Sequence, residues 1–361
     1  MAADLCASWG FPIAPASSST WSGGGTFAPE ADMIGESQAE TPLVSVCMTA
    51  YNHGRFIAQA IDSVLAQQAP FPYELVIGED CSADDTRAIV LRYRDQHPDR
   101  IRVLLRQGNL GMHANGTDTL RQCRGTYIAL LEGDDYWTSP HKLQRQVAYL
   151  EQHPACVECV HPVVVVDEEG VDLGQTFPAA PWRPNYSFEE MVAANLFGTC
   201  ATMFRRSAFD AYPPWMFSMP YGDWAVHLWN ARETPIACLD EPMAAYRRHM
   251  DGAWSSLPRQ KRYRQSIAFL RTFAAHVPPS TRSLFWPYVA VRYEFLADDA
   301  LETNASGARV RATRHLLSAA WFSPRSAPWL LRRIASTWLP RAYDRARRMK
   351  AAVRGRRSPA R

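Results

Sequence analysis

Between residues 42 and 153 a short apolar run is followed by an amphipathic helical pattern, four times over. That alternation admits few folds besides a sheet with helices on its faces. Residues 43–48, 73–78, 101–105 and 126–131 read as buried strands, because they are predominantly apolar runs of strand length. Helical periodicity runs over 54–67, with Phe56, Ile57, Ala60, Ile61, Val64 and Leu65 on one face, and again over 82–96, 113–123 and 139–153. Ser82 with Asp85 three residues on reads as a capping box, and Ser139 before Pro140 as an N-cap followed by proline at the first helical position. Farther on, 156–166 reads as one longer strand, 187–195 as a helix, 199–205 as a strand, a helix begins near Asp223, and 236–247 reads as a strand. The expectation is an α/β fold: an open mixed sheet flanked by helices, without internal repeats.

The 361 residues, 47% apolar and 21% charged, can bury the core of one large domain or two smaller ones. No stretch of eighteen apolar residues occurs, and the Met1 end lacks a basic segment followed by an apolar one, so neither a membrane span nor a secretory leader is expected. Residues 1–41 are rich in Ser, Ala and Gly and lack apolar periodicity, which predicts a disordered leader. The eight cysteines mostly sit in apolar runs, as free thiols do in a reducing cytoplasm. Cys156 and Cys159 form a lone CxxC without the second Cys or His pair that a structural zinc site requires.

In an open α/β sheet the ligand crevice lies beyond the carboxyl ends of the strands. Here those ends are polar: Thr49-Ala50-Tyr51-Asn52, Glu79-Asp80-Cys81-Ser82 and Glu132-Gly133-Asp134-Asp135-Tyr136-Trp137. Acids near helix starts usually cap, but Ser82 and Ser139 take those places in this reading, which leaves Asp80, Asp134 and Asp135 without a structural duty. Adjacent carboxylates repel unless a cation joins them, and magnesium or manganese completes a shell of one or two carboxylates with phosphate oxygens and water. A diphosphate ligand is implied. A sugar-nucleotide-forming nucleotidyltransferase would need a glycine-rich loop with a basic residue straight after the first strand, which AYNHGRF does not supply.

The runs VSVCMTAYNHGRFIAQAIDSVLAQ, ELVIGEDCSADDT, YIALLEGDDYW and YRRHMDGAWS, in this order, resemble glycosyltransferase family 2, the inverting enzymes of the GT-A (Rossmann-like) fold, across roughly residues 42 to 256. The resemblance implies that Thr49, Ala50, Tyr51 and Asn52 form the loop that holds the nucleotide base, with Asp80 accepting a hydrogen bond from the uracil ring NH. It makes Asp134 the ribose or sugar contact and Asp135 the ligand of a divalent cation, Mn2+ or Mg2+. Asn115, with Asn109 and Gly111, belongs to the loop-and-helix element between the third and fourth strands, whose helix N-terminus suits an anion. In the late YRxH element Arg247 meets the diphosphate, while His249 is either a metal ligand or a solvated strand-end histidine. Inversion by one in-line displacement needs a general base, and Asp223 in Tyr221-Gly222-Asp223-Trp224 stands where relatives place it. The alternatives are that Asp223 only caps the helix it begins, or that Glu189, Glu190 or Asp240 is the base. The implied reaction moves a sugar from a nucleotide-sugar, a UDP-sugar by the place of Asp80, to a glycan, lipid-linked or other hydroxyl acceptor in cell-surface polysaccharide biosynthesis. A catalytically silent nucleotide- or glycan-binding protein is the other reading.

From Arg309 onward fifteen Arg and Lys face one acid, Asp344, and they alternate with Leu316, Leu317, Trp321, Trp329, Leu331 and Trp338. Such a segment suits the headgroup region of an anionic membrane, or a packed helical appendage ending in a solvated basic tail. No nucleic-acid recognition motif accompanies it. The expected organisation is a leader over 1–41, a catalytic domain over 42–256 and a basic helical appendage over 257–361, in a cytoplasmic protein able to sit on the inner face of the cell membrane.

Overall fold

The computed structural model describes residues 33–34, 41–219, 222–250, 252, 256–303 and 305–339. Most of the expected leader and the tail beyond Leu339 lie outside the described residues. Within the leader, Met33–Ile34 forms an edge strand (β1) that no apolar pattern announces. Strands β2 (Val44–Ala50), β3 (Tyr73–Glu79), β4 (Ile101–Leu105) and β5 (Tyr127–Glu132) alternate with helices α1 (Ile57–Leu65), α2 (Thr86–Gln96), α3 (Met112–Gln122) and α4 (Lys142–Gln152), so the four-fold alternation of the sequence survives intact. All four strands are parallel, in the order β4-β3-β2-β5, and β1 pairs antiparallel with β4. Both faces are covered, which is why these strands are buried along nearly their whole length and mostly apolar.

Two expected strands are each cut in two. Residues 156–166 divide into β7 (Glu158–Val160) and β8 (Val163–Val166), and 236–247 into β12 (Ile236–Cys238) and β13 (Ala244–Arg247). Pro162 and Pro242 fall at the breaks, where a residue without an N–H cannot continue a ladder. The first halves pair parallel in the large sheet and the second halves pair parallel in a small one, so one strand pair passes from sheet to sheet. The large sheet continues past β5 as β11-β7-β12-β10, with β10 at Asn185–Tyr186 and β11 at Met203–Arg205. The small sheet is β6-β13-β8-β9, with β6 at Tyr136–Trp137 and β9 at Asp172–Phe177. The expected strand over 199–205 is a 3-10 turn, Thr199–Ala201, before β11.

The capping expectations are corrected as well. Helix α2 starts at Thr86, and Asp84 rather than Ser82 serves its first turn, accepting from the Thr86 N–H (3.0 Å) and hydroxyl (2.5 Å). Helix α4 begins at Lys142 with no side-chain cap, two residues after Pro140. The capping box that does form is at α5 (Phe188–Ala193), where Ser187 and Glu190 satisfy each other's backbone N–H.

After α6 (Gly222–Asn230) and β13 come α7 (Arg259–Ala275), α8 (Trp286–Glu302), α9 (Ala308–Phe322) and α10 (Ala327–Trp338). Their apolar faces close over the sheet's helices: Trp224 stacks on Phe269 with centroids 4.3 Å apart, Phe273 meets Trp215 edge-on at 5.4 Å, and Phe285 meets Phe188 at 6.0 Å. One buried cluster therefore runs from the sheet into the C-terminal helices. The seven described cysteines are all free. No helix among the described residues is long and apolar enough to cross a membrane.

Candidate active site

The chain leaves β2 for β3 and β4 on one side, then returns to place β5 on the other, so the crevice opens at the carboxyl ends of β2 and β5. The turn after β5 is anchored there by the Gly133 N–H on the Thr49 carbonyl, 2.9 Å. A Cβ on Gly133 would stand 2.6 Å from Ile57 Cδ1 and 2.8 Å from His53 Nδ1, so glycine lets the turn lie against α1. Ligand atoms of Glu132, Asp134 and Asp135 lie within 4.8 Å of one another on this turn.

Strand β13 reaches the turn because it pairs with β6, Ala245 opposite Tyr136. Asp135, 2% exposed, accepts from the Arg247 backbone N–H at 2.8 Å through Oδ1, while its Oδ2 is buried without a hydrogen-bond partner. Burial and the neighbouring Asp134 charge push the Asp135 carboxyl well above the usual range; burial, Asp134, Asp135 and Asp223 do the same to Glu132. Burial acts on Asp134 in the same sense, yet the His53 imidazole, 3.7 Å away, and a 3.0 Å contact with His249 Nε2 hold it below. A buried orphan carboxylate oxygen among three acids, with imidazole alongside, fits a divalent cation such as Mn2+ or Mg2+.

Asp223 lies in the first turn of α6. Its Oδ1 accepts from the Trp224 N–H (2.7 Å) and its Oδ2 from Asn195 Nδ2 (2.8 Å), so the capping reading describes part of its surroundings. Its charge nevertheless acts on Glu132 of the acidic turn and on His113 of α3. Of the rival acids, Glu190 is the α5 capping residue, Glu189 is exposed, and the Asp240 side chain is 94% exposed beside Arg145.

The remaining expected residues fall into two groups. Tyr51, 45% exposed, stands at the mouth of the crevice, while Thr49 and Ala50 use their carbonyls to hold Gly133 and Asp80. Asn52 takes a left-handed conformation (φ 55°) that asparagine tolerates, and ties its loop to the next by accepting from the Ala83 N–H (2.9 Å) and donating its own N–H to Ser82 Oγ (3.0 Å). Asp80 does have a structural duty: it is 2% exposed and receives the Leu110 and Gly111 amides at 2.7 and 2.9 Å. Asn115 is buried, its amide shared between Arg106 Nε and the Gly78 carbonyl. Arg247, 5% exposed, donates to the carbonyls of Asp134, Asp167 and Glu168 and to Gln59 Oε1, and lies over Phe56, clamping the acidic turn. Two histidines escaped the sequence reading. His53 directly follows the quoted rim residues, and His113 opens the helix after Gly111; position next to the rim was the available signal.

Comparison with known proteins places these observations. Residues 45–212 match the profile of the family described as Glycosyl transferase family 2. A Mycobacterium tuberculosis protein of uncharacterised function is 42% identical over 214 residues, 59% of this chain and 61% of that one, so the chain spans less than two thirds of the relative's length. Staphylococcus aureus TarS (residues 1–349), solved in complex with UDP-GlcNAc, superimposes with a TM-score of 0.57 at 18% identity over 83% of this chain and 88% of its own. Pyrobaculum calidifontis mannosyltransferase PcManGT, in complex with GDP-Man and Mn2+, superimposes with a TM-score of 0.51 at 16% identity over 89% of this chain and 87% of its own. At such identities the likeness is one of fold, and the fold is the GT-A glycosyltransferase architecture with a helical C-terminal region.

Proposed function

From the premise that residues 45–212 belong to glycosyltransferase family 2, we propose that the protein is an inverting glycosyltransferase that takes a sugar from a UDP-sugar to a hydroxyl acceptor. The observation that carries this reading is the acidic turn: three carboxylates gathered at the switch point of the sheet, one oxygen buried without a partner, and a fourth carboxylate, Asp223, acting on Glu132 from α6. Asp135 and His249, with Asp134 beside them, would hold the divalent cation, Mn2+ or Mg2+. When bound, the cation supplies positive charge that stabilises a departing diphosphate.

Asp223 accepts the proton of the acceptor hydroxyl as its oxygen attacks the anomeric carbon and the bond to the nucleotide diphosphate breaks on the opposite face. Asn195 and the Trp224 N–H each take one lone pair of that carboxylate, which orients it while leaving acceptor capacity on both oxygens. Tyr51 offers the nucleotide base an exposed ring, and Asp80 fixes the loop at 110–111 that borders it. The acceptor fits a glycan or lipid-linked hydroxyl of cell-surface polysaccharide synthesis, made on the cytoplasmic side.

Calorimetric titration of UDP, with GDP in parallel, tests the donor site with and without manganese. Wild type is expected to bind UDP in a manganese-dependent way that Asp135→Ala abolishes. Tight GDP binding with no UDP binding would overturn the UDP assignment. With a turned-over donor in hand, Asp223→Asn is expected to keep UDP binding and to lower turnover by about a hundredfold to ten-thousandfold; unchanged turnover would remove Asp223 as the base.

A further inference from the structure

Helices α9 and α10 lie antiparallel, joined by a short turn and tied at their far ends by Trp338 Nε1 donating to Thr313 Oγ1 at 2.8 Å. On α9, Ala308, Ala312, Leu316 and Ala319 face the core, and on α10 Leu330 does. The opposite side of α9 carries Val310, Leu317 and Trp321, spaced so as to share one face, at 44, 43 and 69% exposure. The flank of α10 next to it carries Leu331 and Trp338, and Leu339 follows, at 55, 46 and 63%. The two helices thus present one open apolar face containing two tryptophans.

Around it stand Arg309, Arg311, Arg314, Arg325 and Arg332, none of which takes part in an ion pair among the described residues. Arg333, by contrast, points inward to Glu294 and Asp298 of α8. No Asp or Glu occurs between residues 303 and 343. The face is therefore apolar and single-signed. A second copy would set arginine against arginine, and the 22 residues after Leu339 hold nine Arg and Lys against Asp344, so neither complements the charge; residues 1–40 hold five acids and no Lys or Arg, and vesicle binding that appears only when they are deleted would make that segment the occupant instead.

We propose that this face docks on an anionic lipid bilayer, with the exposed Trp, Leu and Val side chains at the boundary of headgroups and acyl chains and the five arginines level with the lipid phosphates. Tryptophan suits that depth because its ring is apolar and its N–H polar. The docking stands apart from the transferase reading and needs no nucleotide.

The test is co-sedimentation of the full chain with vesicles of phosphatidylcholine alone and of phosphatidylcholine mixed with phosphatidylglycerol. Wild type is expected to bind the mixed vesicles, with a blue shift of tryptophan emission, and to leave the neutral ones in solution. Trp321→Gln with Leu331→Gln, and separately Arg314→Glu with Arg332→Glu, are expected to lower partitioning by about tenfold or more. All four residues are exposed, so an unchanged thermal midpoint will certify the fold. Failure of wild type to bind mixed vesicles would overturn the proposal, and so would equal binding by wild type and both double variants, which would leave attachment to the tail alone. Equal binding to both lipid compositions would remove the charge assignment. A dimer in sedimentation velocity that the Trp321→Gln, Leu331→Gln variant dissociates, without vesicle binding, would make the face an interface between copies instead.

Discussion

Lys142 is fully buried in the core: 0% exposed, donating to Gln146 Oε1 at 2.6 Å and lying 4.3 Å from the centre of the Trp137 ring. Burial lowers its pKa to about 7, against 10.5 for the free side chain. Between those values the unfolded chain holds a proton that the folded chain has released, so this residue makes stability rise with pH across that window. Its full cost, about 5 kcal/mol, applies below about pH 7. Lys142→Met is therefore expected to change unfolding free energy about 4 kcal/mol more favourably near pH 6 than near pH 10, the lost Gln146 contact lowering both values alike. Denaturant melts at the two pH values check it, and a pH-independent effect would show that Lys142 is not neutralised on folding. At this scale the rim residues were legible, because acids and a tyrosine straight after apolar strands are visible as text. The duties of Asp80, Asn115 and Arg247 were not, since their partners lie 9 to 188 residues away.

Gly78 shows how closely the elements meet. A Cβ there would stand 2.0 Å from Thr119 Oγ1 and 2.7 Å from Asn115 Oδ1, so α3 sits directly on β3 at this glycine. Gly78→Ala is expected to destabilise the protein by about 3 kcal/mol, because the helix must lift and Asn115 must leave the Gly78 carbonyl. A thermal melt no different from wild type would mean that the two elements slide apart without cost. Element existence was readable wherever periodicity was strong, as in the four strand–helix repeats. The two long strands were misread because an apolar run does not say which sheet it enters, although Pro162 and Pro242 carried the signal for the break. That break matters for the site: it is what delivers Arg247 and His249 to the acidic turn.

At the scale of the whole molecule, the C-terminal helices share the core of the sheet region, through Phe269 on Trp224, Phe273 on Trp215 and an Arg292 guanidinium donating to the Ala193 carbonyl at 2.9 Å. One buried cluster therefore runs across the expected boundary near residue 256. A chain ended at Ser256 is expected to bind a hydrophobic dye and to unfold without a cooperative transition, since it exposes Trp215 and Trp224 together; a sharp transition would establish 42–256 as an autonomous domain. The amino-acid sequence alone determined the alternation of strands and helices, the open sheet flanked by helices and the polar rim, because apolar periodicity and the residues following each strand are local properties. Tertiary structure alone decided that His249 and Arg247 meet Asp134 and Asp135, and that α9 and α10 leave one apolar, basic face open. Those outcomes depend on which strands pair across long sequence separations and on which helix face finds the core first, and neither is written in any local stretch of the chain.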